Sequence, residues 1–570
     1  MKTIVQVVQQ VRSTDTVTNT TSTVRYAYDD VHYFVNFEDI YEKAYAWFGK
    51  VTMRDDENNR YVSYYHQSQY DHTNDSDALL GEFEDHISKK WQLYRHEVYD
   101  AQDALYSRTI TKREHIDQWD SIFIMHPLQT VSSQYDGRAT GVHTAQSFVY
   151  DADGFVIEHT SYGEVQEPAD NWEFVDVTWD DYRTTVAYAS NPSANLRGVG
   201  ITSLSYDHTD LLLSQVQYEY DDLPYGQVEQ WLKTKHRVWF ADEQRWLDTS
   251  IGYDNWLTKS QTDVLGRTVT YDRDAYGITV LRTTNALWWA SDTVYDYALG
   301  LVTQTTDQNG YVQRTAYDEF ARPVWQYIST PTTSEIQMSR VEYNDDIIPV
   351  SYKNISYPWD WTDNELTSLV YIDGFGRELQ TRQSSAVDWQ YSVVKQSYNS
   401  RGNIEFASYA RFETWEWYTP IASQEKWNSY VYDVLWRTRE QTNQAGTTRI
   451  DYAWLVTEYY DETDHLQVQR RDIYGNLVAV REYPDRVYTD AASYLTQYRY
   501  NTRNQLVEMI DALGNTRTYT YDSLGRLLTQ EQLHDASVTT PGTKQYQYDD
   551  ANRLVLFTNA RGGSVIYTYD

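Results

Sequence analysis

The dipeptide Tyr-Asp recurs along this chain at the point where an alternating run ends and a turn begins. It does so at Tyr271-Asp272, Tyr295-Asp296, Tyr317-Asp318, Tyr432-Asp433, Tyr521-Asp522, Tyr548-Asp549 and Tyr569-Asp570. Tyr271, Tyr295 and Tyr317 stand 24 and 22 residues apart, and Tyr521, Tyr548 and Tyr569 stand 27 and 21 apart, so the unit repeats with loop insertions. The plainest copy runs from Asp511 to Leu527. Turns at Asp511–Gly514 and Asp522–Gly525 flank a stretch in which Thr516, Thr518 and Thr520 alternate with Arg517, Tyr519 and Tyr521. Period-two alternation of β-branched and aromatic residues between Asp and Gly predicts a strand between tight turns. One such unit cannot bury its own apolar face, so it requires neighbours of the same kind.

Variants keep the turn while altering the dipeptide: Asp373-Gly374-Phe375-Gly376-Arg377, Asn399-Ser400-Arg401-Gly402-Asn403 and Asp472-Ile473-Tyr474-Gly475-Asn476. In each, Asp or Asn can accept hydrogen bonds from turn N–H groups. Gly supplies positive φ three residues later, and the following Arg or Asn, such as Arg526, can pair across the strand or cover the Tyr ring. These roles are structural.

The recurring Y-D-x-x-G-R/N phrase resembles the YD-repeat, or Rhs-repeat, family. Phe48-Gly49-Lys50-Val51, the stretch from Gly81 to Lys89 and Tyr106-Ser107-Arg108-Thr109-Ile110 are similar to the middle region of Tc-type toxin B components. The resemblance implies an all-β fold: a repeat-built antiparallel ribbon curling into a partial hollow shell. It implies no enzymatic activity and no cofactor. Partners would be a toxin cargo polypeptide or other subunits of a toxin complex. A surface module binding a glycan or protein is the alternative. Export would be to the medium or the cell surface, after a cytoplasmic stage.

On this reading residues 1–24 form a leading strand or frayed end, 25–190 a Tc-middle-like β region, and 191–570 the regular ribbon, with looser inserts at 330–367, 409–426 and 534–543. The phrase breaks off at Tyr569-Asp570, so the chain reads as truncated relative to the family. The self-cleaving core of that family has no counterpart to carry over.

The 54 Tyr residues support an all-β reading, and a formal charge of −35 disfavours phosphate backbones and anionic lipid as partners. No Cys is present, and Met1–Gln10 lacks the apolar stretch of a Sec signal. No nucleophile elbow, metal helix or phosphate loop has adequate spacing. Asp151-Ala152-Asp153-Gly154 begins like a calcium loop, but Tyr162 stands where a bidentate Glu is needed. His66, His72, His86 and His96 lack metal-site spacing.

Tryptophan departs from the pattern. Trp436 and Trp288 occupy the place that Gly525 and Gly514 take in sister phrases, and resemblance to the family adds Trp47, Trp91 and Trp231. A positive-φ turn position suits Gly and costs a Cβ-bearing residue about 1 kcal/mol. Two readings stand open. UGA codons decoded as Gly in the source organism are recorded as Trp, or the residues are genuine aromatics packed across strands.

Overall fold

Antiparallel strands follow one another in sequence order because each strand–turn phrase pairs with the phrase before it. In the computed structural model, 41 strands among the described residues join into one sheet, nearly all in this way. The structure describes all residues except 1–6, 36–42, 68–81, 83–86, 120–121, 167–173, 179, 358–364, 388, 423–424, 536 and 570. Among the described residues there is no α-helix, only 3-10 turns at Ile87–Lys89, Pro192–Ala194 and Asp490–Ala492. The first described strand, Gln10–Thr14, pairs with Thr21–Val35. Pairing also runs straight through residue 191, where Tyr182–Asn191 pairs with Leu196–Asp207. The order departs from simple succession once: Arg411–Thr414 turns aside to pair with Gln390–Tyr398, while Ile404–Ser408 pairs with Trp427–Tyr432.

No central core forms. Buried apolar residues gather in small patches, such as Ala189, Val199, Ile201, Tyr220 and Val228, or Val131, Ala145 and Val165. Strands such as Leu506–Ile510 and Leu554–Thr558 are half-buried at every position. That is the signature of a wall one sheet thick, in which each strand is held mainly by its two neighbours.

The wall closes on itself. Asp15, in the loop after the first strand, accepts the Gly374 N–H at 2.9 Å across 359 residues. Asp242 accepts the Ser523 N–H at 2.7 Å across 281 residues. The residue separations differ, yet both contacts advance 23 strands along the ribbon, once the sideways strand Arg411–Thr414 is left out. At a strand spacing of about 4.8 Å, 23 strands make a ring about 35 Å across, measured backbone to backbone. The ribbon therefore winds into an open-walled spiral, and its second winding sits edge-on against its first.

Tyrosine locks neighbouring hairpins together. The Tyr521 hydroxyl donates to the Leu506 carbonyl at 2.9 Å, Tyr432 to Ile404 at 2.9 Å, Tyr398 to Glu378 at 2.8 Å and Tyr569 to Leu554 at 2.7 Å. Each carbonyl belongs to the residue that follows the preceding repeat turn and opens the next strand. The guanidinium just before that residue lies over the same ring: Arg377 over Tyr398 at 4.3 Å, Arg437 over Tyr452 at 4.1 Å and Arg553 over Tyr569 at 4.4 Å. The Arg thus covers the Tyr of the next repeat, not that of its own. Tyr432→Phe is expected to cost about 1 kcal/mol, the worth of one hydrogen bond. This is read as a lower urea midpoint than that of the neighbouring Tyr430→Phe; equal midpoints would contradict the lock.

Candidate functional site

Each repeat turn is built by one side-chain oxygen, the carboxylate of an Asp such as Asp522 or the amide oxygen of an Asn such as Asn399 or Asn501. Asp522 Oδ1 accepts the N–H groups of Leu524 at 3.1 Å and Arg526 at 2.9 Å, while Arg526 Nε donates to Oδ2 at 2.6 Å. The Gly525 N–H reaches the Asp522 carbonyl at 3.0 Å, with Gly525 at φ 88°. This is a type I turn followed by a left-handed residue. The register shift between Thr520 and Tyr521 marks the accompanying bulge. Asp373 with Arg377, Asp433 with Arg437 and Asp318 with Arg322 repeat the pattern. The left-handed residues of these turns are Gly376, Trp436 and Ala321. Asp511 keeps the turn with Asn515 in place of Arg and Gly514 at φ 81°. Asp151 makes the same turn, accepting from Asp153 and Phe155. Asp511 titrates below the usual carboxylate range because the Asn515 side chain and the turn N–H groups stabilise the anion and together outweigh desolvation.

These turns become a site where the windings meet. These contacts place turns of the second winding on loops or strand ends of the first. Arg401, its side chain only 3% exposed, donates to Glu57 at 3.0 Å and to the carbonyls of Asp433 and Val434 at 3.0 and 2.9 Å. Arg437 bridges its own Asp433 to Asp136 at 2.8 Å, and Asp136 also takes the Trp454 N–H at 2.8 Å. Arg503 donates to the Leu213 carbonyl at 2.9 Å. Arg245 pairs in bidentate fashion with Asp550, one bond being 3.0 Å. Tyr474 donates to the Asp180 carbonyl. The sequence reading found the turns but missed their partners. A signal was present: Arg401 and Arg503 stand two residues after the turn Asn, where sister phrases carry apolar Phe375 or Leu524.

A second polar centre lies under the insert at 409–426. Arg382 and Lys395, 1% and 2% exposed in their side chains, face Glu413 at 2.7 and 3.0 Å. Lys395 also meets Glu425 at 2.9 Å. Burial pushes the Glu413 carboxyl up, but Lys395, Arg411 and Arg382 outweigh it and bring it down to about 2. Glu413→Gln removes a shared counter-charge from two buried cations, a loss of about 3 kcal/mol. Amide exchange across Arg411–Thr414 should accelerate about a hundredfold, since 1.4 kcal/mol is tenfold. Unchanged exchange would show the insert to be held otherwise. Because the folded value lies below the ordinary one, this stabilisation is complete above the ordinary carboxyl pKa of 4.5 and fades as pH falls towards about 2.

Other polar groups are ordinary by comparison. Asp176, Asp180 and Asp181 cluster within 4.8 Å, and Asp181 is pushed up to about 6 by burial and by the Asp176 charge. Among the described histidines, His66 packs on the Tyr94 ring at 4.9 Å and His96 Nδ1 lies 3.1 Å from Ser63. His72 and His86 lie outside the described residues.

Residues 500–537, which span the Asp511 and Asp522 turns, match the RHS Repeat family. No curated protein matches the chain by sequence. Solved structures share its fold. TcdB2-TccC3 without its hypervariable C-terminal region superposes with a TM-score of 0.78 at 13% identity, over 98% of this chain and 39% of that one. TcdB2-TccC3 itself gives 0.78 at 15% identity, over 97% and 37%. A Tc holotoxin pore from Photorhabdus luminescens gives 0.76 at 13%, over 96% and 39%. This chain therefore spans about two-fifths of the length of those chains. The chain shares the fold of these structures and carries one segment that matches the RHS Repeat.

Arg503→Ala removes a charged donor from the seam, and Arg401→Ala strands the seam carbonyls it serves. Each is expected to cost about 2 kcal/mol, seen as a lower unfolding midpoint with new protease cuts at the seam loops. Wild-type stability in both would contradict a seam role.

Proposed function

We propose that this chain is a wall segment of a secreted Rhs- or Tc-like toxin shell, that it catalyses nothing itself, and that it encloses a toxic polypeptide. The observation that carries this reading is the return of the ribbon onto its own edge after 23 strands. A wall one sheet thick that meets itself at a polar seam bounds a space, whereas a binding module needs no such closure. The likeness to TcdB2-TccC3 supports a role alongside other subunits of a toxin complex. The charge of −35 would keep the assembled wall soluble and away from nucleic acid. Export to the medium or the cell surface follows from the same reading.

A second reading, recognition of a surface glycan or protein by exposed rings, is favoured by Trp415 and Trp417. These indoles stack at 6.4 Å and are 59% and 67% exposed.

Enclosure is tested by fusing an unfolded, protease-sensitive reporter to the chain. The reporter should survive added protease in the wild-type fusion and be degraded once Arg401→Ala and Arg503→Ala open the seam. Equal degradation in both would refute enclosure. Retention of the chain on a glycan array, with no protection, would favour the second reading.

A further inference from the structure

We infer that the tryptophans at positions 91, 231, 256, 288, 389, 415, 436 and 454 are glycine in the protein that the source cell makes. The backbone carries the argument. All eight hold positive φ, between 58° and 83°. Left-handed backbone crowds any Cβ against the carbonyl that follows, and for a bulky side chain it is an outlier. Of the other described non-glycine residues in this region, thirteen are Asn or Asp, the types that tolerate it, joined by Gln244, Ala321 and Arg486. Among the described residues no Tyr and no Phe adopts it, although the chain contains 54 Tyr and 14 Phe. An aromatic ring therefore has no general place there, and tryptophan alone breaks the rule.

The turn types specify the missing residue. Asn255 and Trp256 form the two-residue loop between paired Asp254 and Leu257, with φ 48° and 74°. Positive φ at both positions defines a type I′ turn, for which Asn-Gly is the strongest sequence signal. Ala453 pairs with Val456 around Trp454 at φ 58° and Leu455. Positive φ at the first central position alone is type II′, where Gly is the preferred residue. Trp436 and Trp288 hold the fourth position of the Asp433 and Asn285 turns, which Gly376, Gly514 and Gly525 hold elsewhere. A Cβ added at Gly376 or Gly514 would meet nothing within 4 Å, so the objection to a side chain there is backbone strain alone.

The indoles gain little in return: Arg401 lies over the Trp436 ring at 4.7 Å, Lys90 over Trp91 at 4.8 Å, and Trp454 Nε1 donates to the Thr140 carbonyl at 3.1 Å. Seven of the eight are 51% to 87% exposed. Tryptophans of a different kind sit in strands and pack: Trp239 on Trp246 at 5.3 Å, Trp427 on Phe406 at 4.9 Å and Trp325 on Tyr327 at 6.2 Å. A code in which UGG means Trp and UGA means Gly produces this split, because translation under a code that reads UGA as Trp would write both as Trp. Trp47 lies in the strand Lys43–Arg54 and is not among the eight.

The inference is independent of the shell reading but bears on its rival. Glycine at 415 dissolves the Trp415–Trp417 platform, and glycine at 288 removes the most exposed indole of the set. At residue 454 the seam loses the indole N–H bond to the Thr140 carbonyl but keeps the backbone N–H that Asp136 accepts, which glycine also has.

The test is the coding sequence, together with peptide masses of the protein isolated from its own cells. UGA codons and glycine masses at the eight positions, with UGG and tryptophan at 239, 246, 325 and 427, are expected. UGG codons or indole-bearing peptides at Trp256, Trp288 and Trp436 overturn the inference. In a host that reads UGG throughout, the chain with all eight changed to Gly should unfold at a higher urea midpoint than the chain as written. An equal or lower midpoint removes the physical basis.

Discussion

One Asp or Asn side-chain oxygen accepting two turn N–H groups is the interaction on which everything else rests. Asp522 fixes the turn that Gly525 allows, and the turn fixes the bulge that sets the register of Tyr521. Only in that register does the Tyr521 hydroxyl meet the Leu506 carbonyl of the hairpin before it. Replacing the Asp would leave two N–H donors and, where present, an Arg to find other partners. Replacing the left-handed residue would strain the bend itself. The repeat is conserved within this chain as a set because its members depend on each other geometrically.

A wall assembled from such locks has an unusual energy balance. Hydrophobic burial is spread thinly, with half-buried residues on both faces, so stability grows roughly in proportion to the number of neighbouring hairpins. Long-range coupling enters mainly through the seam. There the groups are charged or backbone polar: Arg401, Asp136, Arg437, Asp242 and Arg503. Charge-assisted bonds of this kind are directional, so they hold a defined stagger between windings, which apolar contact between two turn edges would leave loose. The buried ions beneath the insert extend the same logic. Arg382 and Lys395 are paired with Glu413 and Glu425, and the arrangement specifies where the insert lies more than it adds net stability.

Legibility followed the range of each interaction. The strands, the turns and the all-β ribbon were readable because alternation and the Asp-to-Gly spacing are local signals. The shell was available only through the family resemblance, since nothing in a strand's own residues says after how many neighbours the ribbon returns. Asp136 could not be picked out, because its partners lie about 300 residues away and its own phrase, Tyr135-Asp136-Gly137, lacks the usual spacing. The tryptophans lay between these cases. Alignment of phrases marked Trp288 and Trp436, but Trp256 and Trp454 sit in two-residue hairpins outside the phrase and needed their dihedral angles.

The distribution of long connections follows from the seam. From Leu366 onward, the turns that face the first winding are short: 373–377, 399–403, 433–437, 454–455, 472–476, 501–505, 522–526 and 549–553. The long connections of that winding, at 409–426, 484–493 and 532–542, all lie on the opposite edge. A docking edge needs turns of one height, because each must reach a partner loop at hydrogen-bond distance while its neighbours do the same. The far edge has no such requirement there. Loop length is thermodynamically cheap where no turn of another winding must meet the loop in register. The two seam contacts separated by 359 and 281 residues keep the same strand count for this reason. Inserted residues lengthen the chain without moving the ring, because the ring is counted in strands and each strand brings one spacing of the sheet.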